Sequence, residues 1–405
     1  MPRLALPRIG PHAGVSAVLF LSLFAGQAGL IAITPILPAL AGDFDVSTAA
    51  AGQLRTVTGL VAGITALALG MAAGRIGLGR QLLAGTGLLA TGSLASAAAP
   101  TFGLLVLAQA PVGAGVALVT TAGVVAAAEW VPEAYRSRAL SWALTGQPAA
   151  WIVGMPLVGA VGQAASWRLA FLLLPFAAAL AAGLALARRA GEPPRPAKPT
   201  RIRAAFANRD LKLWASAELA ANSAWAGTLV YSGALFTESY GTSSTLVGVL
   251  LALAAAAYVA GTFTTRRFLG RSDRPRLVAL GLALAIGVTL FGGVRPGAAA
   301  SALLLAVSGF LAGGRTLVSS AVGLAVDPAA RGAVMAVRSA TMQFGYFLGV
   351  LVSGAALAAG GYLGLGLAVG GLLVLASALF APCALGSGIC YPARLQSVPA
   401  DARAS

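Results

Sequence analysis

Charged residues are scarce in this 405-residue chain: only 9% are Asp, Glu, Lys or Arg, whereas a soluble domain carries about 25%. Hydrophobic residues make up 58% of the chain, and the mean hydropathy is +0.87. So few charges cannot cover the surface of a protein that is surrounded by water. The sequence therefore predicts a protein whose outer face contacts lipid.

Residues that carry enzyme chemistry are also rare. The chain has one histidine, His12, and two cysteines, Cys383 and Cys390, which lie near its end without further metal ligands. No metal and no cofactor are expected. A membrane-embedded transferase needs a base, a nucleophile or a metal cluster near the interface, and no such cluster occurs, so an enzyme is the least favoured class. A sensor that does not transport is also disfavoured, because it would usually add a soluble domain.

Long apolar stretches dominate what is present. A bilayer core needs about 20 apolar residues per helix, and segments of alternating polar and apolar residues, typical of membrane β-barrels, do not appear. The sequence predicts an all-α polytopic membrane protein with twelve transmembrane helices. The predicted spans are 14–38, 49–73, 82–99, 101–127, 139–163, 168–188, 211–237, 244–266, 276–293, 299–323, 333–357 and 361–384.

The basic residues are distributed unevenly between the two sides of these spans. Of 27 Lys and Arg, 18 fall in the loops that follow the even-numbered spans, and only Arg168 and Arg295 fall in the other loops. This asymmetry is the positive-inside pattern, and it predicts that the tails 1–13 and 385–405 are both cytoplasmic. A nucleic-acid partner is not expected, because no segment interleaves basic with aromatic residues.

The chain consists of two similar halves. A Pro-rich, basic linker at 189–210 separates predicted six-helix bundles at 14–188 and 211–384. Repeated halves of this kind are typical of secondary transporters, which bind substrate between the halves near the bilayer midplane. The repeated positions are Gly70, Arg75 and Arg80 with Gly261, Arg266 and Arg271, and Arg136, Gly154 and Gly159 with Arg331, Gly349 and Gly354.

Two motifs resemble the major facilitator superfamily, in its bacterial drug or sugar efflux branch. In the first basic loop, Gly70, Arg75 and Gly77 match the superfamily signature, although Gly74 stands at the usual Asp position and the next basic residue, Arg80, comes late. The segment GMPLVGAVGQAASWRLAF at 154–171 is similar to the efflux branch.

The resemblance implies a monomeric transporter in the bacterial cytoplasmic membrane. It would export a small amphiphilic compound (a drug, sugar or metabolite) in exchange for protons, by rocker-switch alternating access. Uptake or uniport of a neutral or anionic metabolite without proton coupling is the alternative.

The glycine- and arginine-containing loops are predicted to gate this transport. Arginines cross the bilayer at high energetic cost, and glycines let helix ends approach closely. The resemblance implies that the first loop latches the halves together; without an Asp at Gly74, Glu129 and Glu133 are the candidate partners. Alternatively the cluster only fixes topology. The residues assigned to gating are Gly70, Arg75, Gly77, Arg80, Gly261, Arg266 and Arg271.

Three charged residues fall at similar depth inside spans of the second half. Glu218 lies about 10 Å from the basic side, at 1.5 Å per helical residue, and Arg315 and Arg338 lie at similar or slightly shallower depth. Charges inside a membrane usually pair or face a water-filled cavity. We predict Glu218 as the proton-coupling residue, since a carboxylate near an arginine can bind and release a proton as access alternates. A permanent ion pair of Glu218 with Arg315 or Arg338 is the alternative.

Arg55, in the second span, has no acid nearby in sequence. Its guanidinium can contact an anionic group of the substrate, or its long side chain can extend to the membrane interface, which is the favoured interpretation. Three buried arginines against one buried glutamate favour a neutral or anionic substrate over a cationic one.

Neutral polar and aromatic residues inside the spans are the remaining candidates for contacts with substrate. Each of them can instead hold helices together. Gln109 stands where many efflux relatives carry an arginine linked to proton handling, which puts the usual coupling scheme in doubt. The candidates are Gln27, Gln109, Gln147, Gln343, Trp142 and Trp225.

The fifth span contains two prolines, Pro148 and Pro156, which remove backbone donors and predict a bend. With Gly154 and Gly159, Pro156 makes this helix a candidate rocking element, as the resemblance implies.

Overall fold

The computed structural model of the chain describes residues 13–71, 75–187, 209–270, 273–326 and 331–380. Within these ranges the regular elements are all helices, which confirms the predicted all-α class. Arg271, most of the predicted linker at 189–210, most of the N-terminal tail and the whole C-terminal tail lie outside the described residues.

The first half contains six long helices, three of which change geometry along their length. Helix α1 contains a 3₁₀ turn at Thr34–Ile36, and α5 and α6 each contain a π-helical turn. The helices are α1 (Ala13–Ile31 and Leu37–Asp43), α2 (Thr48–Gly52 and Leu54–Met71), α3 (Leu78–Ala98), α4 (Phe102–Glu129), α5 (Glu133–Ala149, Ala150–Gly154 and Met155–Ala164) and α6 (Trp167–Phe171, Leu172–Phe176 and Ala177–Leu186).

The second half repeats this order. Helices α11 and α12 lie in one helical stretch, Arg331–Ala378, which is interrupted at Gly360 and Gly361. Gly361 has a φ of 59°, which glycine adopts without steric cost. The helices are α7 (Arg209–Tyr240), α8 (Ser244–Thr265), α9 (Asp273–Gly293), α10 (Ala298–Val326), α11 (331–359) and α12 (362–378).

Most of these helices are long and apolar enough to cross a membrane. Nine described segments meet both conditions, and one of them, 337–378, contains α11 and α12 together. Helices α3 and α7 complete the set of twelve; both are long enough, but they carry more glycine and polar residues. The chain is therefore a multi-pass membrane protein, and the boundaries differ from the predicted spans mostly by a few residues.

Successive helices run in opposite directions, so the assembly has two ends. The basic end carries Arg75 and residues 131–138, 266–270 and 273–276; the opposite end carries the turns at 44–47, 99–101, 165–166, 241–243 and 294–297. Helices α2, α4, α6 and α8 all start at the opposite end. Each starts with a Ser or Thr side chain that accepts a hydrogen bond from the first helical turn, which stabilises the helix start. These caps are Ser47, Thr101, Ser166 and Ser243.

The halves pack against each other through two equivalent helix pairs, α2 with α11 and α5 with α8. Glycines let the backbones approach closely in both pairs. A Cβ atom on Gly59 of α2 would lie 2.7 Å from the backbone nitrogen of Phe347 on α11, and one on Gly248 of α8 would collide with the carbonyl oxygen of Met155 on α5. The two crossings therefore follow the pseudo-symmetry of the halves.

Candidate functional site

A cluster of hydrogen bonds joins the two halves at the opposite end. The Gln53 amide nitrogen on α2 donates to the hydroxyl of Tyr231 on α7 (3.3 Å) and to the carbonyl oxygen of Val350 on α11 (3.2 Å). The Tyr231 hydroxyl donates in turn to the carbonyl oxygen of Ala49 (3.1 Å). We call these four residues the seal. Nearby, Thr48 donates to Glu238, which adds a further bond between α2 and α7.

A cavity of about 400 Å³ lies between the halves, on the basic side of the seal. Side chains from both halves line it, and most of its wall is apolar, with a few amides, hydroxyls and arginines. A cavity of this size and composition is typical of sites for small organic molecules. Four of the six predicted cavity residues line it: Gln27, Gln147, Gln343 and Trp225.

Gln109 and Trp142 are not among the residues that line this cavity. The Gln109 side chain is fully buried between α2, α3 and α4, where it donates to the Ser96 hydroxyl (2.9 Å) and accepts from Thr58 (3.3 Å). Trp142 is 47% exposed on the surface of α5. The first residue therefore holds helices together, and the second faces the surroundings of the bundle.

Glu218 and Arg315 form an ion pair that connects α7 with α10. The distance between Arg315 Nη1 and Glu218 Oε1 is 3.0 Å, and the two side chains are 6% and 2% exposed, respectively. Arg315 lines the cavity, whereas Glu218 lies behind it. The carboxylate thus reaches the cavity through its arginine partner.

Arg338 does not share this carboxylate. Its side chain lines the cavity and donates to the hydroxyl of Ser320 on α10. Because the charge of Arg315 is balanced by Glu218, the cavity wall keeps the positive charge of Arg338. The expected cluster of three charges therefore resolves into a neutral pair and a separate cation.

Arg55 does not extend to the membrane interface, contrary to the favoured interpretation of its sequence. The side chain is 2% exposed, and its guanidinium carbon lies 4.8 Å from the centre of the Tyr346 ring on α11. Its Nε and Nη1 atoms have no hydrogen-bond partner among the described residues. The tight packing of α2 on α11 encloses the guanidinium, so snorkelling is not possible in this arrangement.

Aromatic residues from both halves line the cavity. Trp225 of α7 stacks on Tyr258 of α8, with 6.3 Å between ring centres and 23° between ring planes. On the other half, the indole nitrogen of Trp151 donates to Gln27 (3.0 Å), and both residues line the cavity. Flat apolar surfaces thus lie on both sides of the space.

Helix α5 departs from α-helical geometry at its predicted bend. A π-helical turn occupies Ala150–Gly154 and starts two residues after Pro148, and Pro156 is the second residue of the following α-helical segment. Further along, a Cβ atom on Gly159 would collide with the carbonyl oxygen of Ser244 at the start of α8. The irregular turn and the glycine therefore both lie where α5 approaches the other half.

The predicted gating residues occupy the basic end, except for Arg271, which is not described. Arg75 and Arg266 are exposed, and Arg80 belongs to the first turn of α3 rather than to a loop. Gly70 is the second-to-last residue of α2, and Gly77 directly precedes α3. Gly261 lies inside α8, where it allows close contact with Phe310 of α10.

Comparison with known proteins identifies the family. The sequence model of the Major Facilitator Superfamily matches residues 19–237, more than half of the chain. The chain belongs to the Major Facilitator Superfamily. It is therefore a transporter of small molecules and not an enzyme. No significant match was found among curated protein sequences.

Solved structures of superfamily transporters share this fold. Two structures of a bacterial homolog of the human lysosomal transporter Spinster, inward-facing and either unoccupied or occupied, superimpose with a TM-score of 0.73 at 17% and 16% identity, and cover 90% of this chain and 95% of theirs. A D-xylose–proton symporter gives a TM-score of 0.70 at 16% identity, with 91% of this chain and 97% of that chain covered. These similarities confirm the fold of twelve helices in two bundles.

Among the residues that were not predicted from the sequence are Gln53 in the seal, and Asn222 and Tyr346 at the cavity. Asn222 follows Glu218 by four positions, and Tyr346 follows Gln343 by three. Side chains three or four positions apart lie on the same face of a helix. Helical spacing from the predicted residues could therefore have indicated both cavity residues.

Proposed function

We propose that the protein is a proton-coupled exporter of a small amphiphilic compound in the bacterial cytoplasmic membrane. The supporting observation is the cavity between the halves, which has a buried ion pair, Glu218–Arg315, in its wall. The apolar and aromatic lining suits the non-polar part of such a compound, and the amides and arginines suit its polar part. The transporter acts as a monomer, because one chain encloses the whole cavity.

The basic end is assigned to the cytoplasm, with both termini on that side, because basic loops stay on the inner face of a membrane. The seal then closes the cavity on the outer side, so the described conformation is the inward-facing one. The hydrogen bonds of Gln53 across the halves support this assignment. In the exchange, the α2–α11 and α5–α8 contacts open while contacts at the basic end form, which is the rocker-switch movement.

Glu218 is assigned the coupling role. A proton on its carboxylate would neutralise it and release Arg315, which lines the cavity, from its ion pair. Arrival of a proton would thereby change the charge that faces the substrate. Arg75 and Arg266, which are exposed at the basic end, are assigned to gating through contacts between the halves.

The test uses purified protein in proteoliposomes with an imposed pH gradient. Substrate-induced thermal stabilisation across a compound library first supplies a substrate, and its counterflow and pH-driven movement are then measured. The Glu218→Gln variant is expected to retain counterflow and to lose movement driven by the pH gradient. The matched control is Asp273→Asn, which alters a carboxylate paired with Arg276 at the start of α9, outside the cavity.

The control variant should behave as the unaltered protein. pH-driven transport that persists in Glu218→Gln would contradict the coupling role. Substrate movement that is insensitive to pH in every variant would instead favour uniport or uptake without proton coupling.

A further inference from the structure

Arg55 is a buried cation with unused hydrogen-bond donors. The side chain is 2% exposed, and neither Nε nor Nη1 donates to any described atom. Its contact is the face of the Tyr346 ring at 4.8 Å. A buried guanidinium without a counter-ion destabilises a fold, and one aromatic face offsets only part of that loss. Arg55 therefore needs a partner that the described residues do not supply.

The position of Arg55 indicates where such a partner would come from. Along α2 it lies between Gln53, which belongs to the seal, and Gly59, which packs against Tyr346. Tyr346 lines the cavity, whereas Arg55 does not. The tyrosine thus separates Arg55 from the cavity, and both residues lie at the α2–α11 contact, which joins the two halves.

The charge of the cavity is suited to an anion. Two arginines, Arg315 and Arg338, line it, and the first is neutralised by Glu218 at 3.0 Å. Among the described residues, the hydrogen-bond partner of Arg338 is a neutral hydroxyl, that of Ser320. An anionic group in the cavity would therefore contact one accessible cation, Arg338, while the donors of Arg55 lie behind Tyr346.

We propose that Arg338 and Arg55 are two successive binding positions for a single anionic group, such as a carboxylate, on an amphiphilic substrate. Arg338 holds the group while the seal is closed. When α2 and α11 separate at the seal, Tyr346 no longer covers Arg55, and the guanidinium N–H groups of Arg55 bind the same anionic group. The stacked rings of Trp225 and Tyr258 hold the apolar part. This inference rests on the proposed function insofar as the cavity carries the substrate.

Three fluorescent probes of equal size and different charge test this proposal: dansylglycine, dansylglycinamide, and a dansyl derivative with a trimethylammonium group. Binding is measured by dansyl fluorescence with the full chain in lipid nanodiscs, where both faces are accessible. Dansylglycine is expected to bind more tightly than the amide, and the cation least. Arg338→Gln and Arg55→Gln should each weaken dansylglycine binding by about tenfold or more, the loss of a charged hydrogen bond, and leave binding of the amide unchanged.

A stability measurement separates a binding role of Arg55 from a structural one. Since its charge has no partner among the residues that the structure describes, Arg55→Gln should raise the unfolding temperature of the ligand-free protein while it weakens binding of the anion. A purely structural arginine would show the reverse, a lower unfolding temperature. The control variant Arg267→Gln, which removes an exposed arginine beyond α8, should change neither quantity.

Equal binding of the three probes, no binding of dansylglycine, or a lower unfolding temperature for Arg55→Gln would each overturn the proposal. The outcome is independent of proton coupling. If dansylglycine bound through Arg55 but did not move under a pH gradient, the anion site would stand and the proposed exporter would fail. If the amide moved under a pH gradient without any dependence on Arg55, the proposed exporter would stand and the anion site would fail.

Discussion

The Glu218–Arg315 pair makes a quantitative prediction about stability. Both side chains are almost completely buried, so removal of either one leaves a charge without its partner. Such a loss typically lowers the free energy of unfolding by about 3–5 kcal/mol. Glu218→Gln should show this full effect, because the guanidinium of Arg315 stays charged under all ordinary conditions. Arg315→Gln should cost less, because an unpaired buried carboxylate can bind a proton and become neutral.

The double variant Glu218→Gln/Arg315→Gln carries no buried charge at this position, and its two amides can hydrogen-bond to each other. It should recover most of the lost stability, which gives a coupling energy of about 2 kcal/mol or more between the two positions. The measurement is an unfolding titration with a denaturing detergent in mixed micelles, followed by tryptophan fluorescence. Additive effects of the two substitutions, within about 0.5 kcal/mol, would show that the pair does not stabilise the bundle as the geometry implies.

Two further predictions concern the opposite end. Gln53→Ala removes two hydrogen bonds between the halves, each contributing about 1 kcal/mol, and should therefore favour opening at that end. In a chain without Cys383 and Cys390, a cysteine introduced at Ala226 should then react at least about fivefold faster with a membrane-impermeant thiol reagent added from that end. Unchanged labelling would contradict the seal. Arg168→Gln breaks an ion pair with Asp43 (2.7 Å), in which the two side chains are 39% and 44% exposed. Because solvent screens this pair, the free energy of unfolding in the same detergent titration should fall by no more than about 1 kcal/mol. A loss as large as that of Glu218→Gln would be inconsistent with a solvent-screened pair.

The helices themselves could be predicted from the sequence for a simple physical reason. Each of them must satisfy its own backbone hydrogen bonds in lipid, so each appears as an uninterrupted run of about 20 mostly apolar residues. The ends of the runs are equally visible: Ser47, Thr101, Ser166 and Ser243 cap helices at the opposite end, and Gly360–Gly361 interrupts the last long stretch. The fold follows from these local signals.

The lateral arrangement of side chains could not be predicted in the same way. The position of a residue along an apolar run gives its depth in the membrane, but it does not give the direction in which the side chain extends. Gln147 and Gln109 had similar sequence surroundings, yet one lines the cavity and the other bonds Ser96 between three helices. Arg55 lies close enough to the interface to snorkel, but the α2–α11 contact encloses it.

The glycines explain why the same surfaces can both close and open. Gly59 and Gly248 bring the backbones together at the two crossings. Nearer the opposite end, Gly159 packs against the backbone of Ser244, whereas Gly354, at the equivalent position of the repeat, leaves room for the side chains of Gln53 and Tyr231. A contact made by glycine and backbone buries little side-chain surface, so separation of the halves loses few apolar contacts. The polar bonds of Gln53 are few, and each contributes about 1 kcal/mol, so their loss would add little to the free energy of an open state.

The α2–α11 contact closes the opposite end through Gln53 and conceals Arg55 through Tyr346. One separation of these two helices would therefore break the seal and expose the guanidinium in the same step. An anion held at Arg55 would in turn stabilise the separated state, because the arginine gains a partner only there. On the proposed scheme, substrate charge and the direction of access would be linked through a single helix pair, and loss of Arg55 should reduce the effect of an anionic ligand on labelling from the opposite end.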